Sequence, residues 1–210
     1  MGDIEVEFRF AVDDENETRG FLDGLEFLGR TRQKDVYFDT RSGEFFKRGV
    51  FIRTRNGKTL EFKFNLEDAE NRHEDCEEHS FPLPMPADVL ERLGKVCKRL
   101  GLDAPDVPDA ERLMQMNGLG EFVTIDKTRE RFREGEFVFC LDDVKGMGKF
   151  LEIESMAQQG IDLDGLKKRM AERVKIFRPR FLPTGYIELF VRRKDFDLYK
   201  QGRYLLEEDR

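Results

Sequence analysis

The chain has 210 residues, 39% charged and 39% hydrophobic, with 20 Phe, no Trp and a formal net charge of −7. That length and phenylalanine content suit one sizeable domain with a real core, and the acidic balance disfavours a nucleic-acid or anionic-membrane surface. No apolar run approaches the ~18 residues of a membrane span and the start shows no signal-peptide pattern. Three cysteines (Cys76, Cys97, Cys140) without metal-ligand spacing read as reduced thiols of a cytoplasmic protein.

Residues 4–12 begin the chain as a strand. In "IEVEFRF" (4–10) Glu5, Glu7 and Arg9 alternate with apolar residues and share one face. "DENETRGFLDGLEFLGR" (14–30) predicts a short amphipathic helix ending near Gly29, and "KDVYFDT" (34–40) a strand with Tyr37 and Asp39 on one face. Residues 41–49 read as a turn-like connection. "VFIRTR" (50–55) and "KTLEFKFN" (58–65) form a hairpin about Asn56-Gly57. A three-residue loop sets Arg53 opposite Glu61 and keeps each face chemically uniform. Residues 71–83 form a further strand, and 86–101 a helix with Pro86 early and Gly101 just past its end.

Residues 104–120 predict a connection with a short helix. Strands at 121–132 and 136–144 meet at Glu134-Gly135, a two-residue turn that pairs Arg129 with Cys140 and Lys127 with Asp142. "KGMG" (145–148) turns into the strand "KFLEIES" (149–155). Residues 162–174 and 184–193 read as helices, and 195–210 have no clear assignment. The halves echo each other loosely: "RTR" (53–55) answers "KTR" (127–129), and Glu5/Glu7 answers Glu152/Glu154.

These alternating charges are compatible with an antiparallel sheet that has one solvated face. Two features point elsewhere. Glutamates dominate some strands and Arg/Lys others, which sets like charges close together. Arginine also outnumbers lysine, and its planar fork suits phosphate oxygens. A barrel with a polar interior explains both features, with the basic groups facing a polyanion and the carboxylates a hard divalent cation.

The motifs in order resemble the CYTH superfamily, the triphosphate tunnel metalloenzymes. The E-x-E-x-K signature stands as Glu5-Val6-Glu7-Phe8-Arg9, with arginine in the lysine position. "YFDT" (37–40), "FIRTR" (51–55), "LEFKF" (60–64), "DKTRERF" (126–132), "LDDVKGMGKFLEIE" (141–154) and "GYIELF" (185–190) follow in the family's order. The resemblance implies an α+β fold: an eight-stranded antiparallel β-barrel (tunnel) with helices packed outside. It implies a CYTH domain over 1–192 and leaves 193–210 as a tail without counterpart.

It also implies Mg²⁺ or Mn²⁺ as cofactor, with Glu5, Glu7, Asp142, Glu152 and Glu154 as metal-site residues and the four glutamates catalytic. Arg9, Arg53, Arg55, Lys63, Lys127 and Arg129 become ligands of a triphosphate-bearing small molecule, with no nucleic acid or membrane as partner. Glu74 and Glu78 fall in a strand that supplies further carboxylates in the family. The expected activity is metal-dependent hydrolysis of a triphosphate. The alternatives are a class IV-type adenylate cyclase, against which the absence of a His-Phe pair before Glu5 counts, and a non-catalytic polyphosphate or nucleotide binder. Other candidate sites are weaker. On a strand Cys76 points away from His73 and His79, which disfavours zinc. "GLG" (118–120) and "GMG" (146–148) lack a following G-K-[ST] and read as turns.

Overall fold

The computed structural model describes residues 4–66, 75–157 and 162–210. Eight strands close on themselves: β1 (Ile4–Ala11), β2 (Glu26–Asp39), β3 (Val50–Arg55), β4 (Thr59–Phe64), β5 (Asp75–Pro82), β6 (Gly120–Glu134), β7 (Phe137–Val144) and β8 (Gly148–Ala157). Their order around the barrel is β1-β5-β4-β3-β2-β6-β7-β8 and back to β1, all antiparallel. The start of β1 pairs with β5, and its end takes up a two-residue strand, β9 (Phe181–Leu182). This is the expected eight-stranded barrel.

Closure decides where the charged faces go. On the outside, α1 (Glu15–Leu22) and α5 (Leu163–Arg173) cover Val6, Phe8, Phe10, Phe139, Leu141, Leu151 and Ile153. On the opposite flank α3 (Leu90–Leu100) and α4 (Ala110–Met116) cover Ile52, Leu60, Phe62, Phe64 and Phe81. On β1, β3, β4, β7 and β8 the apolar set therefore packs under helices and the alternate set faces the lumen, whereas β6 turns Thr124, Asp126, Thr128 and Glu130 outward.

The lumen is chemically divided along its axis. On β6 Lys127 and Arg129 give way to Ile125 and Val123; on β8 Glu152 gives way to Phe150; on β3 Arg53 gives way to Phe51. The apolar end is shut by α6 (Tyr186–Lys194), α7 (Phe196–Tyr199) and the segment after it, which bury Tyr186, Ile187, Val191, Tyr199 and Tyr204 in the same cluster. The C-terminal residues that sequence pattern left unassigned are thus part of this stopper.

Three local expectations are corrected. The first helix ends at Leu22, because Gly24 turns left-handed at φ 88; residues 26–33, read as the end of that helix or left unassigned, are strand, because β6 pairs with β2 along its whole length. The connection at 41–49 holds a short helix, α2 (Glu44–Lys47), whose first amides are capped by Asp39, with Phe45 and Phe46 donating at 3.0 and 2.7 Å. The second hairpin turns at Gly135-Glu136, so Arg129 pairs with Asp142 and Lys127 with Val144. Gly135 takes the first loop position at φ 57, the place a type II′ turn reserves for glycine. The shift is two residues, so the inward face is unchanged. The first hairpin has the expected register, Arg53 opposite Glu61, about the loop Asn56-Gly57-Lys58.

Candidate active site

One cavity inside the barrel is lined by Glu5, Glu7, Arg9, Arg53, Arg55, Lys63, Lys127, Arg129, Glu152 and Glu154. Glu78, one of the two further carboxylates, lines it too; Glu74 and His73 lie outside the described residues. Strand period and closure bring these side chains together from β1, β3, β4, β5, β6 and β8. Cys76 faces the lumen while His79 stacks on Phe64 outside, 5.7 Å between ring centroids, so the two share no site.

Every basic group in the cavity is held by protein carboxylates. Lys63 Nζ lies 3.3 Å from Glu5, 3.1 Å from Glu7 and 3.1 Å from Glu78. Arg129 grips Asp142 with Nε and Nη2 at 2.8 and 2.7 Å, donates to Glu154 at 2.7 Å and also contacts Glu152. Arg55 forms a two-pronged pair with Asp35 at 2.9 and 3.0 Å. Arg53 donates to Glu61 at 2.8 Å and to the Tyr37 hydroxyl at 3.1 Å. Drawn in by these pairs, the side chains leave about 70 Å³ open to water, room for about five waters. A larger ligand enters only as some pairs open.

The carboxylates divide into two kinds. Burial raises Glu152, but Arg129, Arg9 and Lys127 outweigh it and hold the carboxyl well below its ordinary range. Burial pushes Glu5 up to about 8; Lys63 opposes this, and Glu154, Glu78 and Glu7 add to it. Glu154 is also raised, by burial first, with Glu152 and Glu7 adding to it against Arg129. Glu5 and Glu154 therefore sit where one more positive charge would be favourable.

Asp142 stands apart from the other expected metal-site residues. It is fully buried and does not line the cavity. Its oxygens accept from Lys127 at 2.6 Å, from Arg129, and from the Tyr186 hydroxyl at 2.8 Å. It holds the basic groups from behind. Sequence pattern also missed Asp35, Tyr37, Tyr186 and Ile187. Asp35 had a signal, since it shares the face of Tyr37 and Asp39 by period two. Tyr186 lies within "GYIELF", and its ring carries Arg9 at 4.3 Å and Lys127 at 4.6 Å.

The donor chemistry of Glu5, Glu7, Glu152 and Glu154 fits a hard divalent cation, which takes oxygen ligands. Among the described residues no three acidic, His or Cys side chains converge as a ready metal cluster, because the carboxylates are turned to Lys63, Arg9 and Arg129.

Fold and lumen together define a closed β-barrel protein whose candidate site is inside the barrel. The chain belongs to the CYTH family, whose domain matches residues 3–186. A Methanocaldococcus jannaschii protein named "Putative adenylate cyclase MJ0240" is 23% identical over 191 residues, covering 89% of this chain and 98% of that one. The solved PH1012 protein of Pyrococcus horikoshii superposes with a TM-score of 0.59 at 25% identity, over 88% of this chain and 98% of that chain. A Hippeastrum protein described as a "putative adenylyl cyclase" with a dominant triphosphatase activity superposes with a TM-score of 0.54 at 18% identity, over 98% of both chains.

Proposed function

We propose that this protein is a metal-dependent hydrolase of a triphosphate-bearing substrate, either inorganic tripolyphosphate or an organic triphosphate. The observation that carries the reading is the cavity itself: five basic side chains from β3, β4 and β6 face carboxylates from β1 and β8 in a lumen stopped at one end.

Arg53, Arg55, Lys63, Lys127 and Arg129 bind the phosphate oxygens. A triphosphate carries about four negative charges, and planar guanidinium forks meet them with paired hydrogen bonds. Each base that turns to phosphate leaves a carboxylate behind. Glu5, Glu7, Glu152 and Glu154 are the residues that would hold a divalent cation, whose charge would balance the carboxylates so released. When bound, Mg²⁺ or Mn²⁺ supplies Lewis-acid polarisation of the phosphoryl oxygens. Asp142 keeps Lys127 and Arg129 aimed into the lumen. Tyr186 and Ile187 close the inner end, so water reaches the substrate from the open mouth.

The test is phosphate release from tripolyphosphate, ATP and thiamine triphosphate, with and without Mg²⁺ or Mn²⁺. Metal-dependent release from at least one supports the reading; none from any, with folded protein, sinks it. The name of the M. jannaschii relative favours a second reading, an adenylate cyclase, in which a ribose 3′-hydroxyl attacks the α-phosphate. Formation of cyclic AMP and pyrophosphate from ATP distinguishes it. Tight tripolyphosphate binding without turnover of any substrate would mark a binding protein instead.

A further inference from the structure

Arg9 lines the cavity with the other basic residues, but its surroundings differ from theirs. It is the last charged inward position of β1, facing Glu152 on β8 and pairing on its other side with Leu182 of β9. Two residues after Leu182 the chain reaches Thr184, then Tyr186 and the start of α6. The Arg9 guanidinium spans this junction. Nε donates to Glu152 at 2.7 Å, one terminal nitrogen donates to Glu7, and the other donates to the Thr184 main-chain carbonyl. Its flat face lies over the Tyr186 ring at 4.3 Å. Among the hydrogen bonds of the described residues, Arg9 is the one of the six basic cavity residues that donates to a main-chain carbonyl.

That partner matters. A carboxylate released by its arginine can turn to a metal ion or take a proton, but a buried carbonyl has no such substitute and is left without its donor. Moving the Arg9 guanidinium onto a phosphate would also take the nearer of two cations from the Tyr186 ring, leaving Lys127 at 4.6 Å. A lysine here could not copy the arrangement, because a single ammonium offers neither the planar fork nor the stacking face.

We infer that Arg9 is a positioning residue: it clamps the Thr184–Tyr186 entry of the stopper to Glu7 and Glu152, and is not itself a phosphate ligand. Arginine in the lysine position of the β1 motif thus fastens the inner end of the site to the two carboxylates that face the substrate. The structural part of this inference is independent of the function proposed above; its kinetic part rests on that reading.

Arg9→Lys and Arg9→Gln test it, by hydrogen exchange across the whole chain and by calorimetry with tripolyphosphate. The clamp predicts that both variants speed amide exchange over 184–190 by about tenfold or more while α3 keeps its protection. It predicts tripolyphosphate affinity within about threefold of the parent for both. In turnover, kcat falls by about tenfold with KM moving less than about threefold, since Glu7 and Glu152 lose the group that aims them. A phosphate ligand behaves the opposite way: Arg9→Gln loses affinity, Arg9→Lys restores it, and exchange over 184–190 does not change. That result overturns the inference, as does exchange that rises equally throughout the chain. If the parent binds no tripolyphosphate, the proposed function fails while exchange still decides the role of Arg9. If both variants fail to fold, Tyr186→Leu removes the stacking platform and is read by the same local exchange, with unchanged protection over 184–190 counting against the clamp.

Discussion

Glu7 and Glu154 are direct cross-strand partners on β1 and β8, so two carboxylates face one patch of the lumen. Like charges placed this way repel, and burial together with Glu152 and Glu7 raises the proton affinity of Glu154. The fold tolerates this pair because Lys63 holds Glu7 at 3.1 Å and Arg129 holds Glu154 at 2.7 Å. A raised folded-state pKa means the ionised carboxyl is disfavoured in the native state, so the penalty is greatest at high pH. Glu154→Gln is therefore expected to leave the metal-free Tm at pH 8 unchanged or higher, while Mn²⁺ affinity by calorimetry weakens by about tenfold or more. A lower Tm with unchanged Mn²⁺ affinity would show that Glu154 serves the scaffold alone.

Asp142 gives the contrasting case. It has no exposure and receives Lys127, Arg129 and the Tyr186 hydroxyl. Removing one member of a buried charge group leaves the others uncompensated, a loss of about 3–5 kcal/mol. In a chain of this size, Asp142→Ala should lower Tm by roughly 10 °C. Thermal unfolding at pH 7 measures it. A drop of only a degree or two would mean that Lys127 and Arg129 find other partners at once.

The C-terminal segment yields a prediction of its own. Tyr199 and Tyr204 are essentially fully buried, and the Tyr199 hydroxyl accepts from the Leu206 amide at 2.7 Å. The packing is close at two glycines. A Cβ on Gly202 would lie 2.9 Å from the Phe46 ring, and one on Gly49, at φ 68, would lie 2.6 Å from the Tyr204 ring. Gly202→Ala should loosen the stopper and speed proteolysis after residue 194, with the barrel's far-UV circular dichroism retained. Equal resistance to protease in both forms would show that Phe46 moves aside freely.

Much of the barrel was legible because a strand's period is local. Glu5, Glu7 and Arg9 share a face whatever surrounds them, and Asn56-Gly57 supplies two residues able to hold positive φ, here 55 and 64. Partner choice was less legible. Gly135 suits either place in a two-residue turn, and only packing of β6 on β7 decides between them. The apolar spacing of 14–30 fits a helix as well as a strand, and β6 imposes the strand on its second half. Asp35 acquires its role from Arg53 and Arg55 on the next strand. The burial of Tyr199 and Tyr204 depends on Phe46 and Phe51, more than a hundred residues earlier in the chain. Nothing in the alternation of β1 distinguishes a phosphate-facing Arg9 from one bonded to Thr184.

Glu188 makes the stopper sensitive to pH. It sits in the first turn of α6 with 1% exposure, and burial pushes its carboxyl up to about 7, with its own main-chain amide, Arg9, the Gly185 amide and Lys63 acting against the rise. The folded form holds this proton more tightly than the unfolded chain, whose value is near 4.5. Between about pH 4.5 and 7 the native state thus binds more protons, and stability falls as pH rises. A rise of about two and a half pKa units corresponds to roughly 3 kcal/mol lost by pH 8. Glu188→Gln removes the titration. Its Tm should exceed the parent's at pH 8 and match or fall below it at pH 5, where the parent carboxyl is already protonated. Paired thermal scans at those two pH values decide the matter: a variant whose Tm offset from the parent is the same at both would show that Glu188 carries its charge in the fold without penalty.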